Sequence, residues 1–102
     1  MQLSVKAQRA LQHLGVWAAL QRGEQLVLAG PVFELRKQPG IHARLAFVRD
    51  EQQRLCVGTA TDAGGSWHLD DSEPFSLRAL GYQQRHLKRI GDWIGDGPRA
   101  RR

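Results

Sequence analysis

Four cations in the C-terminal third of the chain, Arg78, Arg85, Lys88 and Arg89, are spaced so that a helix carries them on one side. At 100° per residue they project away from an apolar stripe of Phe75, Ala79, Leu80, Tyr82, Leu87, Ile90, Trp93 and Ile94, with Asp92 the one opposing charge among them. Arg99, Arg101 and Arg102 continue the basic run beyond that helix. Such a ridge suits a phosphate backbone, because each paired cation releases condensed counterions and makes association salt-sensitive. The same side chains equally suit a solvated helix face, and those near its C-terminus complement the helix dipole. Both readings stand on the sequence alone.

A second basic set falls on predicted strands. Arg36 and Arg44 flank Ala46, Cys56, Gly58 and Ala60 on one face of the expected sheet. Small residues there offer either a shallow positive surface or a seat for a packed helix, and packing is the preferred reading. Sheet faces that bind single strands usually add stacking aromatics. The expected register puts none on this face, only the rings of His42 and His68.

Catalytic and metal chemistry find little support. His68-x-Asp70-Asp71 aligns His68 and Asp70 on one strand face, but catalytic zinc takes three protein ligands, and no His-x-x-x-His or Cys-x-x-Cys pair accompanies them. The adjacent carboxylates of Asp70 and Asp71 point to opposite faces of a strand. Cys56 stands mid-strand without a cue for a lowered pKa. His86 falls inside the apolar stripe, where a hydrogen-bonded core histidine is expected. Ala63-Gly64-Gly65-Ser66 reads as a turn, since no Gly-Lys-Ser/Thr follows it. The expectation is a non-enzymatic protein with no metal and no cofactor.

The whole-chain arithmetic agrees with a small basic domain. The sequence has 102 residues, 15 Lys+Arg against 10 Asp+Glu, a formal charge of +5 and one Cys. That length favours a single domain, assigned to residues 1–95, with 96–102 as a basic flexible tail. One Cys excludes an intramolecular disulfide framework and a Cys-rich zinc site. No apolar run approaches the roughly 18 residues of a membrane span. The opening MQLSVKAQRALQHL has Arg and His where a signal peptide needs an apolar core, so a cytoplasmic location without membrane contact is expected.

The elements that would position these residues emerge from periodicity. Residues 4–21 read as one helix with Leu3, Ala7, Ala10, Leu11, Leu14, Trp17 and Ala18 in a stripe, Ser4 as N-cap and Gly23 as stop. Val16 and Leu20 fall off that stripe, so together with Trp17 they form a candidate partner surface or lie beneath a loop. Residues 25–70 change to short runs rich in Val, Leu, Phe and Thr, the pattern of an antiparallel meander. Pro31 implies a break or a kinked edge strand there.

A three-residue loop at Gln38-Pro39-Gly40 would set Phe33 against Leu45 and Glu34 against Arg44. Carried on, one face holds Phe33, Leu35, Leu45, Phe47, Leu55, Val57, Trp67 and Leu69. Asp71 or Ser72 is then expected to cap the second helix, which Gly81 weakens. The predicted fold class is α+β, a four-stranded meander sheet flanked by an N-terminal and a C-terminal helix.

The stretch from Leu26-Val27-Leu28-Ala29-Gly30 through Leu35-Arg36-Lys37 to Pro39-Gly40-Ile41 resembles the opening of bacterial single-stranded DNA-binding OB-fold proteins, particularly the primosomal type. The shared pattern is a strand, a glycine, basic residues and a Pro-Gly turn. A helix precedes it here, and too few residues come after it for a closed five-stranded barrel. Strands followed by a helix are also similar in order to the single-strand-binding coactivator fold. These resemblances imply affinity for single strands and assign no residue a role. The expected function is a nucleic-acid-binding accessory factor for DNA or RNA, using Arg78, Arg85, Lys88, Arg89, Arg36, Arg44 and the terminal arginines. The alternative is a protein-interaction module, homodimer or adaptor using Val16, Trp17 and Leu20.

Overall fold

The computed structural model describes residues 3–62 and 64–95. It is an α+β fold with three helices and a five-stranded antiparallel sheet among those residues. The elements are α1 (Val5–His13), α2 (Trp17–Gln21), β1 (Leu26–Leu35), β2 (His42–Arg49), β3 (Leu55–Asp62), β4 (Trp67–Pro74), α3 (Leu77–Ile90) and β5 (Gly91–Gly95). The sheet order is β4-β3-β2-β1-β5, with every neighbouring pair antiparallel. It is an open sheet with β4 and β5 as its edges, so the resemblance to a closed barrel does not extend beyond the local pattern. No helix among the described residues is long and apolar enough to cross a membrane.

The expected N-terminal helix is two helices. Ser4 caps α1 as anticipated, its Oγ accepting the Ala7 N–H at 3.1 Å. The helix stops at Gly15, whose φ of 79° lets its N–H reach the Gln12 carbonyl while Val16 donates to Leu11. This is a Schellman stop, and Gly23 repeats it after α2 with bonds from Gly23 to Leu20 and from Glu24 to Ala19. The bend at Gly15 re-aims the chain as it enters α2. Val16 and Leu20, on the polar side of a straight helix, become buried members of the core with Leu11.

β1 runs through Pro31 without breaking, and it is an inner strand rather than an edge. The ladder to β2 pairs Ala29 with Leu45 and then Phe33 with Ala43, so Gly30, Pro31 and Val32 bulge opposite Arg44. Pro31, which has no N–H to donate, sits inside that bulge. Past it, Phe33 and Glu34 pair with Ala43 and His42, two residues away from the expected partners. A shift of two preserves side-chain parity, so the predicted faces of β1, β2 and β3 hold although the predicted Glu34–Arg44 pairing does not form.

The slip between β3 and β4 is one residue, and it does reverse faces. Asp62 pairs with Trp67 and Ala60 with Leu69, which puts Trp67 and Leu69 on the face opposite the core. A bulge between Thr59 and Ala60 then restores parity and brings Glu73 beside Val57. There β4 curls tightly over β3: a Cβ on Gly58 would collide with the Asp71 carbonyl oxygen. The expected helix caps Asp71 and Ser72, with Glu73 and Pro74, belong to β4. Ser76 caps α3 instead, accepting the Ala79 N–H at 2.9 Å.

The core lies between the sheet and the helices. Phe33, Leu45, Phe47 and Val57 from the sheet pack with Leu11, Val16, Leu20, Ala79, Leu80 and Leu87, and Phe75 tilts against Phe47 at 6.1 Å. α3 continues unbroken through Gly81 but ends at Ile90, where the sequence pattern predicted further helix. Trp93 and Ile94 leave the helical stripe for β5, which pairs Trp93 with Phe33.

Gly58→Ala is expected to destabilise the protein by about 3 kcal/mol, because the added methyl collides with backbone rather than with a movable side chain. Gly40→Ala, at a φ of 93° in open space, is expected to cost only about 1 kcal/mol. Urea denaturation midpoints of the two variants check this order; equal costs would refute the close β3–β4 approach.

Candidate nucleic-acid interface

The described arginines divide by what their guanidinium groups do. Arg22 and Arg54 bind the carboxylates of Glu24 and Asp50 at 2.8 Å. Arg49 donates to the carbonyls of Gln53 and Leu20. Arg36 is held by helix-end carbonyls and Asp92, and Arg44 is buried with the Gly30 carbonyl as acceptor. Arg9, Arg78, Arg85 and Arg89 donate to no acceptor among the described residues, and three of those four lie on α3.

α3 turns Ala79, Leu80, Gln83 and Leu87 inward, so the opposite side carries Arg78, Arg85, Lys88 and Arg89, all exposed. The predicted basic ridge is therefore a single surface. Its acidic neighbours are already engaged: Asp92 pairs with Arg36 at 2.9 Å, and Glu73 accepts the amide of Gln83 at 2.7 Å. None of the four cations has an ion-pair partner among the described residues.

Sequence reasoning assigned Tyr82 to the core stripe, yet it is 48% exposed on this same surface. Its ring stacks on His86 with centroids 6.4 Å apart and planes 9° from parallel, and the Arg89 guanidinium sits 5.6 Å from the ring centroid. The i, i+4, i+7 spacing of Tyr82, His86 and Arg89 was visible in the sequence. It went unread because Tyr82 lies at the margin of the apolar stripe. His86, expected as a core histidine, is half-buried in this stack. Nearby, the Arg85 side chain folds over Gly81, with its Nη1 3.3 Å from where a Cβ would stand. The result is a helical surface of cations interleaved with the exposed Tyr82 ring and the half-buried His86 beneath its stack.

Two predicted site residues do not belong to this surface. The Arg36 Nε binds Asp92, its Nη1 donates to the Arg89 carbonyl at 2.6 Å, and its Nη2 donates to the carbonyls of Lys88 and Gly91 at 3.1 Å each. It thereby satisfies the open carbonyl end of α3, the position where a cation meets the negative end of the helix dipole. Arg44 is buried on the far face of the sheet. Its Nη2 donates to the Gly30 carbonyl and its guanidinium lies against Trp67, while desolvation lowers its pKa from the ordinary arginine value. Arg99, Arg101 and Arg102 lie outside the described residues.

The candidate partner surface is also revised. Val16 and Leu20 are 1% and 3% exposed, which removes them from any surface, and Trp17 is half-buried against the core. The exposed large apolar residues instead include Trp93 and Ile94 on β5, at 61% and 52%. Cys56 is buried; desolvation raises its thiol pKa, helped by the charge of Asp50 and opposed by that of Arg54, so the unreactive thiol dominates at neutral pH. Among the described residues no three His, Cys, Asp or Glu side chains gather as a metal would require. Asp70, one of the sequence candidates, accepts the Thr61 hydroxyl at 3.1 Å.

No protein-family model matches the chain, and no curated protein or solved structure is significantly similar to it. The functional reading therefore rests on the geometry of α3 and the sheet.

Arg36→Met is expected to cost about 2 kcal/mol, since it leaves helix-end carbonyls and the Asp92 carboxylate without their partner. The double variant Arg85→Glu, Arg89→Glu is expected to change stability by less than about 1 kcal/mol, as both residues are exposed. Thermal unfolding followed by circular dichroism separates the two groups, and equal losses would contradict the division of roles.

Proposed function

We propose that the protein is a small non-enzymatic binding protein that contacts nucleic acid through the outer face of α3. One observation carries the reading: the cations of this face are exposed and unneutralised among the described residues, whereas the other described arginines, apart from Arg9, are held by protein acceptors. Arg78, Arg85, Lys88 and Arg89 would meet phosphates, with the exposed ring of Tyr82 available to a base or sugar between them. The dipole of α3 favours cations at its C-terminal end, so Lys88 and Arg89 are held there without an acidic partner.

Fluorescence anisotropy with labelled single- and double-stranded DNA and RNA, titrated with salt, tests the proposal. Four phosphate contacts on duplex DNA predict a slope of log K against log salt near about −3.6, roughly two orders of magnitude between about 50 and 200 mM. Arg85→Glu with Arg89→Glu is expected to weaken binding at least about tenfold and to reduce that slope by about 2. No binding of any of the four forms at low salt would overturn the reading.

A second reading draws on β5, whose outer edge is unpaired among the described residues and carries Trp93 and Ile94 exposed. A strand from another protein could extend the sheet there. β4 is the better protected edge, with Asp70, Asp71, Pro74 and a bulge. If β5 serves this way, light scattering shows an oligomer or complex that Ile94→Lys abolishes while nucleic-acid binding persists. A monomer that captures no partner strand counts against it.

A further inference from the structure

The face of the sheet away from the helices holds a cation whose environment is incomplete. Arg44 is 5% exposed in the middle of β2. Opposite it, β1 offers no paired residue but the Gly30–Val32 bulge, where Gly30 adopts a φ of 78° and its carbonyl accepts Arg44 Nη2 at 3.0 Å. The Trp67 ring centroid lies 6.0 Å from the Arg44 Cζ. The Arg44 Nε is buried and has no hydrogen-bond partner among the described residues.

No described carboxylate comes within ion-pair distance of this guanidinium, and the acids that share its face are occupied. Glu34 accepts the Gly40 N–H at 2.8 Å, while Asp62 accepts the Gly65 N–H at 2.9 Å and lies 3.7 Å from His42. Arg44 is thus the one described arginine that is buried with a single neutral acceptor. A buried guanidinium keeps its charge, and its fork of donors matches the oxygens of a phosphate or carboxylate group. Surface arginines obtain such partners from solvent. The buried Nε of Arg44 does not, and one neutral carbonyl on Nη2 leaves the fork poorly matched for a purely structural cation.

We infer that Arg44, with Trp67 as an apolar wall and the Gly30 bulge as its floor, anchors a binding site for the oxyanion group of a small molecule. The oxyanion reaches the guanidinium beside the Trp67 ring and takes up donors that Gly30 leaves free. The site is on the opposite face of the sheet from α3 and stands or falls independently of nucleic-acid binding there.

The probes are inorganic phosphate and acetate, each exchanged against chloride at constant ionic strength, with a short thymidine oligonucleotide as a third arm. Two readouts are used: the thermal midpoint, and the nitrogen–proton resonance of Arg44 Nε in the full chain, assigned through its loss in Arg44→Lys. Phosphate or acetate is expected to shift that resonance saturably. The same probe should raise the midpoint by about 7 °C at roughly tenfold its half-saturating concentration. Arg85→Glu with Arg89→Glu keeps both effects, and Arg44→Lys loses most of the midpoint rise.

A rise that is linear and equal in wild type and Arg44→Lys is general salt stabilisation and overturns the site. An unmoved Nε resonance in both phosphate and acetate overturns it too, without relying on any variant to fold. A resonance that moves only with the oligonucleotide assigns Arg44 to a polymer contact and refutes a small-molecule site.

Discussion

The arrangement of α3 depends on how its C-terminal end is closed. The last turn of a helix leaves carbonyl groups without intrahelical donors, and such groups need partners. Arg36 supplies them. Its backbone N–H bonds the Ile90 carbonyl at 3.0 Å, and its guanidinium takes the carbonyls of Lys88, Arg89 and Gly91 together with the Asp92 carboxylate. One residue just past the end of β1 therefore joins the last turn of α3 to the first residue of β5. Gly91 allows this at close quarters, because a Cβ there would approach the Glu34 carbonyl to 2.7 Å. The exposed cations Lys88 and Arg89 owe their fixed position to a third cation that is held by backbone carbonyls.

The two faces of the sheet solve different packing problems. The inner face carries large side chains and receives three helices. The outer face is built from Ala46, Cys56, Gly58 and Ala60, and no helix of the described residues covers it. Instead β4 coils over Gly58, and Trp67 reaches toward Arg44. Small residues thus serve strand curvature rather than the helix packing that their sizes suggested. A glycine without a side chain to avoid is what lets a neighbouring strand close in.

The sequence made much of this legible, and the failures share a cause. The antiparallel meander, the parity of β1 to β3 and the shared face of Arg78, Arg85, Lys88 and Arg89 all come from periodicity, which is local. What was missed depends on single backbone events. Gly15 looks like a tolerable interior glycine until its left-handed φ terminates α1, and that one rotation sends Val16 and Leu20 inward. A turn near Gly64 and Gly65 one residue different from the assumed length exchanges the faces of Trp67 and His68. Trp93 and Ile94 continue a helical stripe as well as they continue a strand, and only the pairing of Trp93 with Phe33 decides between them. Arg36 could not be told from a ligand-binding arginine because most of its acceptors are backbone atoms, which carry no signature in side-chain types.

The position of β5 orders events during synthesis. β1 is an inner strand, yet its second neighbour is encoded after β2, β3, β4 and α3, so that Arg36 and Asp92 meet across 56 residues of chain. On the ribosome the meander can pair as it emerges, while the outer side of β1 stays an unsatisfied edge until β5 has cleared the exit tunnel. Closing that side is a long-range step, slower in kind than the hairpins before it. The same step fixes the last turn of α3, because the Lys88 and Arg89 carbonyls meet Arg36 only when β5 lies beside β1.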